Sequence, residues 1–265
     1  MTRGALIFAF RNQVTDYVRM AQWSAQNIRR HLDIPVAVIT DDAMATGFDR
    51  VIVCEAPGTN TRYFSDYETS ATWHNETRSR AYDLSPWDQT LLLDADYVVA
   101  SDQLSHLFHT GQDFSAHRWA TDITGQNNMQ GLNWFGRYRM PQWWATVLQW
   151  QRSPQAKMIF DTMSMVRHNW RHYRELYHNS APAFRNDHAL SIALNTVMGY
   201  GQNLASIPWN LLSVMPEHEL QCAKQDQYSI AYKDQQNRPR RITVNDVDFH
   251  AMNKQQLEAV IASAG

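Results

Sequence analysis

Apolar and polar positions along this chain fall into blocks that read alternately as strands and helices. Residues 4–10 form a continuous apolar run, the pattern of a strand buried on both faces. Over residues 14–31, Val14, Tyr17, Val18, Ala21, Ala25 and Ile28 recur at helical spacing. Residues 35–40 give a second strand ending in Asp41-Asp42, and residues 50–56 a third, stopped by Pro57-Gly58. Residues 59–71 are polar and aromatic and read as a loop. Residues 72–83 read as a helix closed by the Ser85-Pro86 turn. Then Thr90-Leu91-Leu92-Leu93 runs straight into Asp94-Ala95-Asp96. This order of elements predicts an α/β half with a mostly parallel sheet.

The second half carries a short helix over 102–109, a strand over 114–124, a Gly/Asn-rich loop over 125–140 and a strand over 143–151. Ser153-Pro154 places an N-cap and a first-turn proline ahead of a helix running to about residue 178. Residues 187–198 form another helix, with Gly199 suited to its C-terminal cap. Antiparallel strands over 228–233 and 240–244 flank a turn at 234–237, a last strand covers 247–252, and Asn253 caps a terminal helix. No repeat, low-complexity tract or linker interrupts the chain, so a single domain over 1–265 is expected.

Composition narrows the class. Hydrophobic residues make up 44% and aromatics 12%, enough for a sizeable core. The formal charge of −2 excludes a uniformly basic nucleic-acid coat, although a local patch remains open. Cys54 and Cys222 stand far apart without a CxxC, which fits a reducing, cytoplasmic setting rather than a disulfide framework or zinc site. The opening apolar run is too short for a signal peptide, and no stretch approaches a membrane span.

The candidate chemistry lies where the buried strand emits Asp94 and Asp96. Acids at the carboxyl end of a strand in an open α/β sheet stand at the crevice where ligands bind. Two such carboxylates repel each other unless a cation sits between them, and hard oxygen ligands suit Mg2+ or Mn2+. A bare Asp-x-Asp is equally compatible with a capped turn.

Four pieces resemble the nucleotide-sugar glycosyltransferases of the GT-A fold, above all the retaining family 8 that includes glycogenin. They are Thr77-Arg78 through Leu84-Ser85 with Leu91 to Asp96, the strand from Trp144 to Leu148 leading into Ser153-Pro154, Asn186-Asp187-His188 opening a helix, and His250 to Lys254. Two departures stand out: Asn253 directly precedes Lys254 where the family usually has a glycine and a longer spacing, and the family's Asn-Ser-Gly before the mid-chain strand is missing.

The resemblance implies a GT-A-like α/β fold with a nucleotide-sugar-binding half over 1–100 and an acceptor-side half over 101–265. It implies sugar transfer from a nucleoside-diphosphate sugar, a UDP-sugar foremost, with Mn2+ or Mg2+ as cofactor and with retention at the anomeric carbon. Asp94, Asp96 and His250 would hold the cation. Arg78, Asp94, Ala95 and Lys254 would hold the donor, with Phe8, Ala9, Phe10 and Asp41 at the strand ends that carry base and ribose. Asp187, at a helix start where the dipole favours negative charge, would be the acid nearest the transferred sugar.

Residues 130–185 carry eight Arg and Lys against two acids, interleaved with Trp, Tyr and His. Arginine with aromatics contacts phosphates and stacks bases, and aromatic faces also stack sugars. Arg137, Arg139, Trp143 and Arg185 are therefore the candidate acceptor contacts. An anionic acceptor such as hydroxymethylated DNA, as in viral enzymes that glycosylate their own genomes, is one expectation; a saccharide or protein hydroxyl is the plainer one. Two other classes compete. A sugar-phosphate nucleotidyltransferase needs a Gly-rich phosphate loop, which Phe10-Arg11-Asn12-Gln13 does not supply. A non-catalytic nucleic-acid-binding protein has no need of the buried-strand acids and His250.

Overall fold

The computed structural model describes residues 1–264 apart from 57, 59, 127, 128, 180–182 and 200–204. Pro57, expected to stop the third strand, and the loop residues Thr59, Asn127 and Asn128 lie outside the described residues. The first half runs β1 (Arg3–Phe8), α1 (Tyr17–Leu32), β2 (Val36–Thr40), β3 (Arg50–Val53), β4 (Thr61–Phe64), β5 (Thr69–Thr72), α2 (Ala81–Leu84), β6 (Gln89–Leu93) and β7 (Tyr97–Val98). The second runs β8 (Phe114–His117), β9 (Ala120–Asp122), β10 (Trp134–Phe135), β11 (Met140–Pro141), β12 (Trp144–Gln151), α3 (Pro154–His168), α4 (Trp170–Leu176) and α5 (Asn186–Met198). It ends with β13 (Leu211–Val214), β14 (Glu219–Lys224), β15 (Gln227–Lys233), β16 (Pro239–Asn245), β17 (Phe249–Ala251) and α6 (Lys254–Ala264).

The fold is α/β, built on a six-stranded mixed sheet in the order β3-β2-β1-β6-β12-β8. Neighbours from β3 to β6 pair in parallel, and β12 runs against both of its partners. The period-two geometry of a strand explains why its central runs are apolar throughout. Ala5, Ile7, Leu91 and Leu93 face α1, α6 and the second sheet. Leu6, Phe8 and Leu92 face α3 and α5. Gly4 is required by packing, because a Cβ there would stand 2.4 Å from the Trp87 ring.

A second sheet, ordered β7-β17-β13-β9, stands beside the first. The chain steps directly from the first sheet to the second at two short crossings. It leaves β6 and enters β7 through Asp94-Ala95-Asp96. It also leaves β8 and enters β9 at Arg118-Trp119, where the buried Arg118 donates to the carbonyls of Asn133 and Gln142 at 3.0 Å each. The single strand expected over 114–124 is thus two, because these backbone acceptors pull Arg118 inward and turn the chain.

Other expectations change for similar reasons. The loop expected over 59–71 contains the β4–β5 hairpin. It is fastened to α6, since Asp66 Oδ2 accepts the Lys254 N–H at 2.7 Å and Tyr67 donates to Glu258 at 2.6 Å. The helix expected over 72–83 is a 3-10 turn at Asn75–Arg80 followed by α2, with Thr77 outside helical geometry (φ −93°, ψ 22°). The long helix expected from residue 154 breaks at Asn169 into α3 and α4. Strands β13 and β14, too short and mixed to show in the pattern, complete the second sheet and a meander with β15 and β16. Asn253 caps α6 as expected, accepting the Gln256 N–H at 3.0 Å.

Candidate active site

The crossing from β6 to β7 puts both acids at the rim of a cavity of about 260 Å3. Its walls come from the carboxyl ends of β1 and β6, the Asn75–Arg80 turn, the start of β12, the start of α5 and the β17–α6 junction. Phe8, Phe10, Arg78, Asp94, Ala95, Asp96, Arg185, Asp187, His250 and Lys254 all line it.

Strand pairing brings His250 to the acids. His250 lies opposite Tyr97, and the Ala251 N–H donates to the Asp96 carbonyl at 3.0 Å. The His250 Nε2 stands 3.3 Å from Asp96 Oδ2. One ligand atom from each of Asp94, Asp96 and His250 lies within 4.8 Å of the others. Ligands on a shared ion with bonds of about 2.1 Å stand roughly 3 to 4 Å apart, so small side-chain rotations close the set on a cation. Two carboxylates and an imidazole, with the other His250 nitrogen buried and without a hydrogen-bond partner, fit a divalent ion.

Fixed cations surround the pair. Lys254 Nζ lies 2.7 Å from Asp96 Oδ2 and donates to the Met252 carbonyl at 2.9 Å. Arg78, fully buried, donates to Asp94 at 2.5 Å and to the Thr146 carbonyl at 3.3 Å. The two acids are driven in opposite directions. Burial works against ionising Asp96, but Lys254 and His250 overcome it and hold its carboxyl well below the usual range. Burial raises the Asp94 carboxyl, Arg78 opposes this, and the charge of Asp96 adds to the rise.

Asp187 sits in the first turn of α5, not at its N-cap, which is Arg185. Its Oδ1 accepts the Ala145 N–H at 2.9 Å, and Arg185 stands 3.7 Å from its Oδ2. The carboxylate is thereby aimed from α5 across the start of β12 into the same cavity as Asp94.

Several expected contacts fall elsewhere. Arg78 stands on a 3-10 turn rather than a regular helix, and its guanidinium holds Asp94. Lys254 likewise rests on Asp96. The Ala9 N–H is committed to the Ile39 carbonyl at 2.9 Å, and Asp41 is occupied by Arg11, accepting its backbone N–H at 2.8 Å. Trp143 is a core residue, 3% exposed, because the link from β11 to β12 turns it toward α3 and α5, where its backbone N–H donates to Ser191 Oγ at 2.8 Å. Arg137 and Arg139 are exposed on the β10–β11 hairpin away from the cavity walls, with Arg139 over the Trp134 ring at 5.2 Å. Of the four acceptor candidates, Arg185 is the one that lines the cavity. Sequence reasoning missed Asp66, Trp73 and His74, which reach the cavity from the hairpin and the segment behind it. Nothing local marks them, since they arrive by the fastening of the hairpin to α6.

No protein-family model matches this chain. No curated protein matches it either. Among solved structures the chain is similar to the apo form of the glycosyltransferase GlyE of Streptococcus pneumoniae TIGR4, at 15% identity over 78% of this chain and 45% of that one, with a TM-score of 0.45. It is also similar to the galactosyltransferase LgtC in complex with donor and acceptor sugar analogues, at 15% identity over 77% of this chain and 72% of that one, with a TM-score of 0.45. An active-site mutant of LgtC gives a TM-score of 0.47 at the same identity. The chain spans less than half the length of GlyE. The chemistry of the cavity is therefore read from its own geometry. Among the described residues, no helix is long and apolar enough to cross a membrane.

Proposed function

We propose that this protein transfers a sugar from a nucleoside-diphosphate sugar, a UDP-sugar foremost, to a hydroxyl acceptor, using a divalent cation held by Asp94, Asp96 and His250. The observation that carries this reading is the convergence of those three ligands, from two different sheets, on one cavity at the carboxyl ends of β1 and β6. The imidazole favours Mn2+ over Mg2+. A bound cation supplies charge stabilisation for the departing diphosphate.

The protein's own groups do the rest. Phe8 and Phe10 form an apolar wall where a base can lie. Arg78 keeps Asp94 in place through a buried ion pair. Asp187, oriented by the Ala145 N–H, presents a carboxylate to the sugar and favours positive charge at its anomeric carbon. Retention of configuration rests on the family resemblance alone. The acceptor this geometry favours is a saccharide or protein hydroxyl, because Trp143 is internal and Arg137 and Arg139 lie off the cavity. A hydroxymethylated base in DNA would have to be recognised through Arg185 and that outlying basic surface.

The test is a donor screen. The protein is incubated with a panel of nucleotide sugars and Mn2+, and released nucleoside diphosphate is measured, alongside calorimetry with UDP. Release that requires Mn2+ and disappears in Asp96→Ala supports the reading. A protein that binds neither UDP nor any nucleotide sugar in the presence of Mn2+ refutes it.

A further inference from the structure

Two nitrogens, an ammonium and an imidazole, converge on a single oxygen in this site. Lys254 Nζ lies 2.7 Å and His250 Nε2 3.3 Å from Asp96 Oδ2. Lys254 cannot drift far from that contact. Its backbone N–H is held by Asp66, its ammonium also donates to the Met252 carbonyl, and its side chain is 18% exposed. The same carboxylate belongs to the ligand set that Asp94, Asp96 and His250 offer a divalent ion. A dication on Asp96 and an ammonium at hydrogen-bond distance from the same carboxylate repel each other strongly in so enclosed a place.

Resting on the transferase reading above, we propose that Lys254 competes with the divalent cation for Asp96, so that the cation and the diphosphate bind as an interdependent pair. The cation alone must displace an internal ammonium and leave it without its carboxylate, which weakens its binding. A diphosphate entering with the cation offers the ammonium a new anionic partner, so displacement no longer strands it. Lys254 is on this account a positioning residue that makes a loaded donor the preferred form in which the metal is taken up. By linkage, the factor by which UDP tightens Mn2+ equals the factor by which Mn2+ tightens UDP.

The experiment titrates Mn2+ against wild type, Lys254→Met and Lys254→Arg, with and without UDP, reading free Mn2+ by electron paramagnetic resonance. Methionine keeps the length and helix propensity of the side chain but removes its charge. Arginine keeps the charge. The expected result is that Lys254→Met binds Mn2+ alone at least tenfold more tightly than wild type and loses most of the coupling to UDP, while Lys254→Arg stays near wild type without UDP. Circular dichroism confirms that the variants are folded. Equal Mn2+ affinity in wild type and Lys254→Met, with Mn2+ still bound, overturns the competition and leaves the metal centre standing. No Mn2+ binding by any of the three proteins, even with UDP, overturns the competition and the transferase reading together.

Discussion

His250 Nε2 lies 3.3 Å from Asp96 Oδ2 although 154 positions separate the two residues. The antiparallel pairing of β17 with β7 sets this contact, so backbone register rather than side-chain reach fixes it. His250→Ala should leave the strand pairing intact and remove one of three ligands. Loss of even a supporting partner typically lowers metal affinity 10- to 100-fold. A fall of at least about 100-fold in Mn2+ affinity is expected, measured in the presence of UDP. An unchanged affinity would remove His250 from the site.

Arg78 and Asp94 form a pair in which the arginine is 1% exposed. Removing one partner of a buried pair leaves the other charged and unpaired, a loss of about 3 kcal/mol. Urea denaturation of Arg78→Leu should show that loss. The double variant Arg78→Leu/Asp94→Asn should recover part of it. Additive losses in the two single variants would mean that the pair contributes nothing of its own.

Asp187→Asn preserves the oxygen that accepts the Ala145 N–H and removes only the charge. Stability should stay within about 0.5 kcal/mol of wild type. Donor turnover should fall on the order of 100-fold or more, the usual scale for losing one electrostatic stabiliser. Equal turnover in the two proteins would show that the carboxylate serves only to tie α5 to β12.

Two histidines predict the acid limb of the stability profile. Burial lowers His117 to about 4, against the opposing pull of its bond to the Trp209 carbonyl. Burial also lowers His188 to about 4, where it stacks on Trp170 with ring centroids 5.5 Å apart. The unfolded chain therefore takes up more protons than the native one between about 6.5 and 4. The stability each neutral ring contributes is present in full above about 6.5 and is lost as pH falls toward 4, up to about 3 kcal/mol per residue. Denaturation midpoints measured from pH 8 to pH 4.5 should fall, and His117→Asn should flatten the decline.

The central sheet could be read from the sequence because its strands are buried on both faces and carry uninterrupted apolar runs, as in β1, β2 and β6. Asp94 and Asp96 were legible for the same reason: they end such a run. His250 came from resemblance and could not have come from pattern, because its place depends on pairing with a two-residue strand. The β4–β5 hairpin does not show in the sequence pattern because Thr61, Tyr63, Thr69 and Ser70 are exposed; polar links from Asp66 and Tyr67 to α6 hold it. Trp143 shows the limit of the pattern, because an aromatic in a basic stretch carries no sign of whether it faces the core. Arg78 lines the same cavity as the acids, but its ion pair with Asp94 depends on burial that a sequence does not display.

Asp94 ends a strand of one sheet, whereas Asp96 and His250 belong to the margin of another. Any ligand that joins all three sutures two separately hydrogen-bonded layers at their shared seam. Its arrival would slow amide exchange in β6 and β17 together, so occupancy of a small cavity would be felt as stiffness across the width of the molecule.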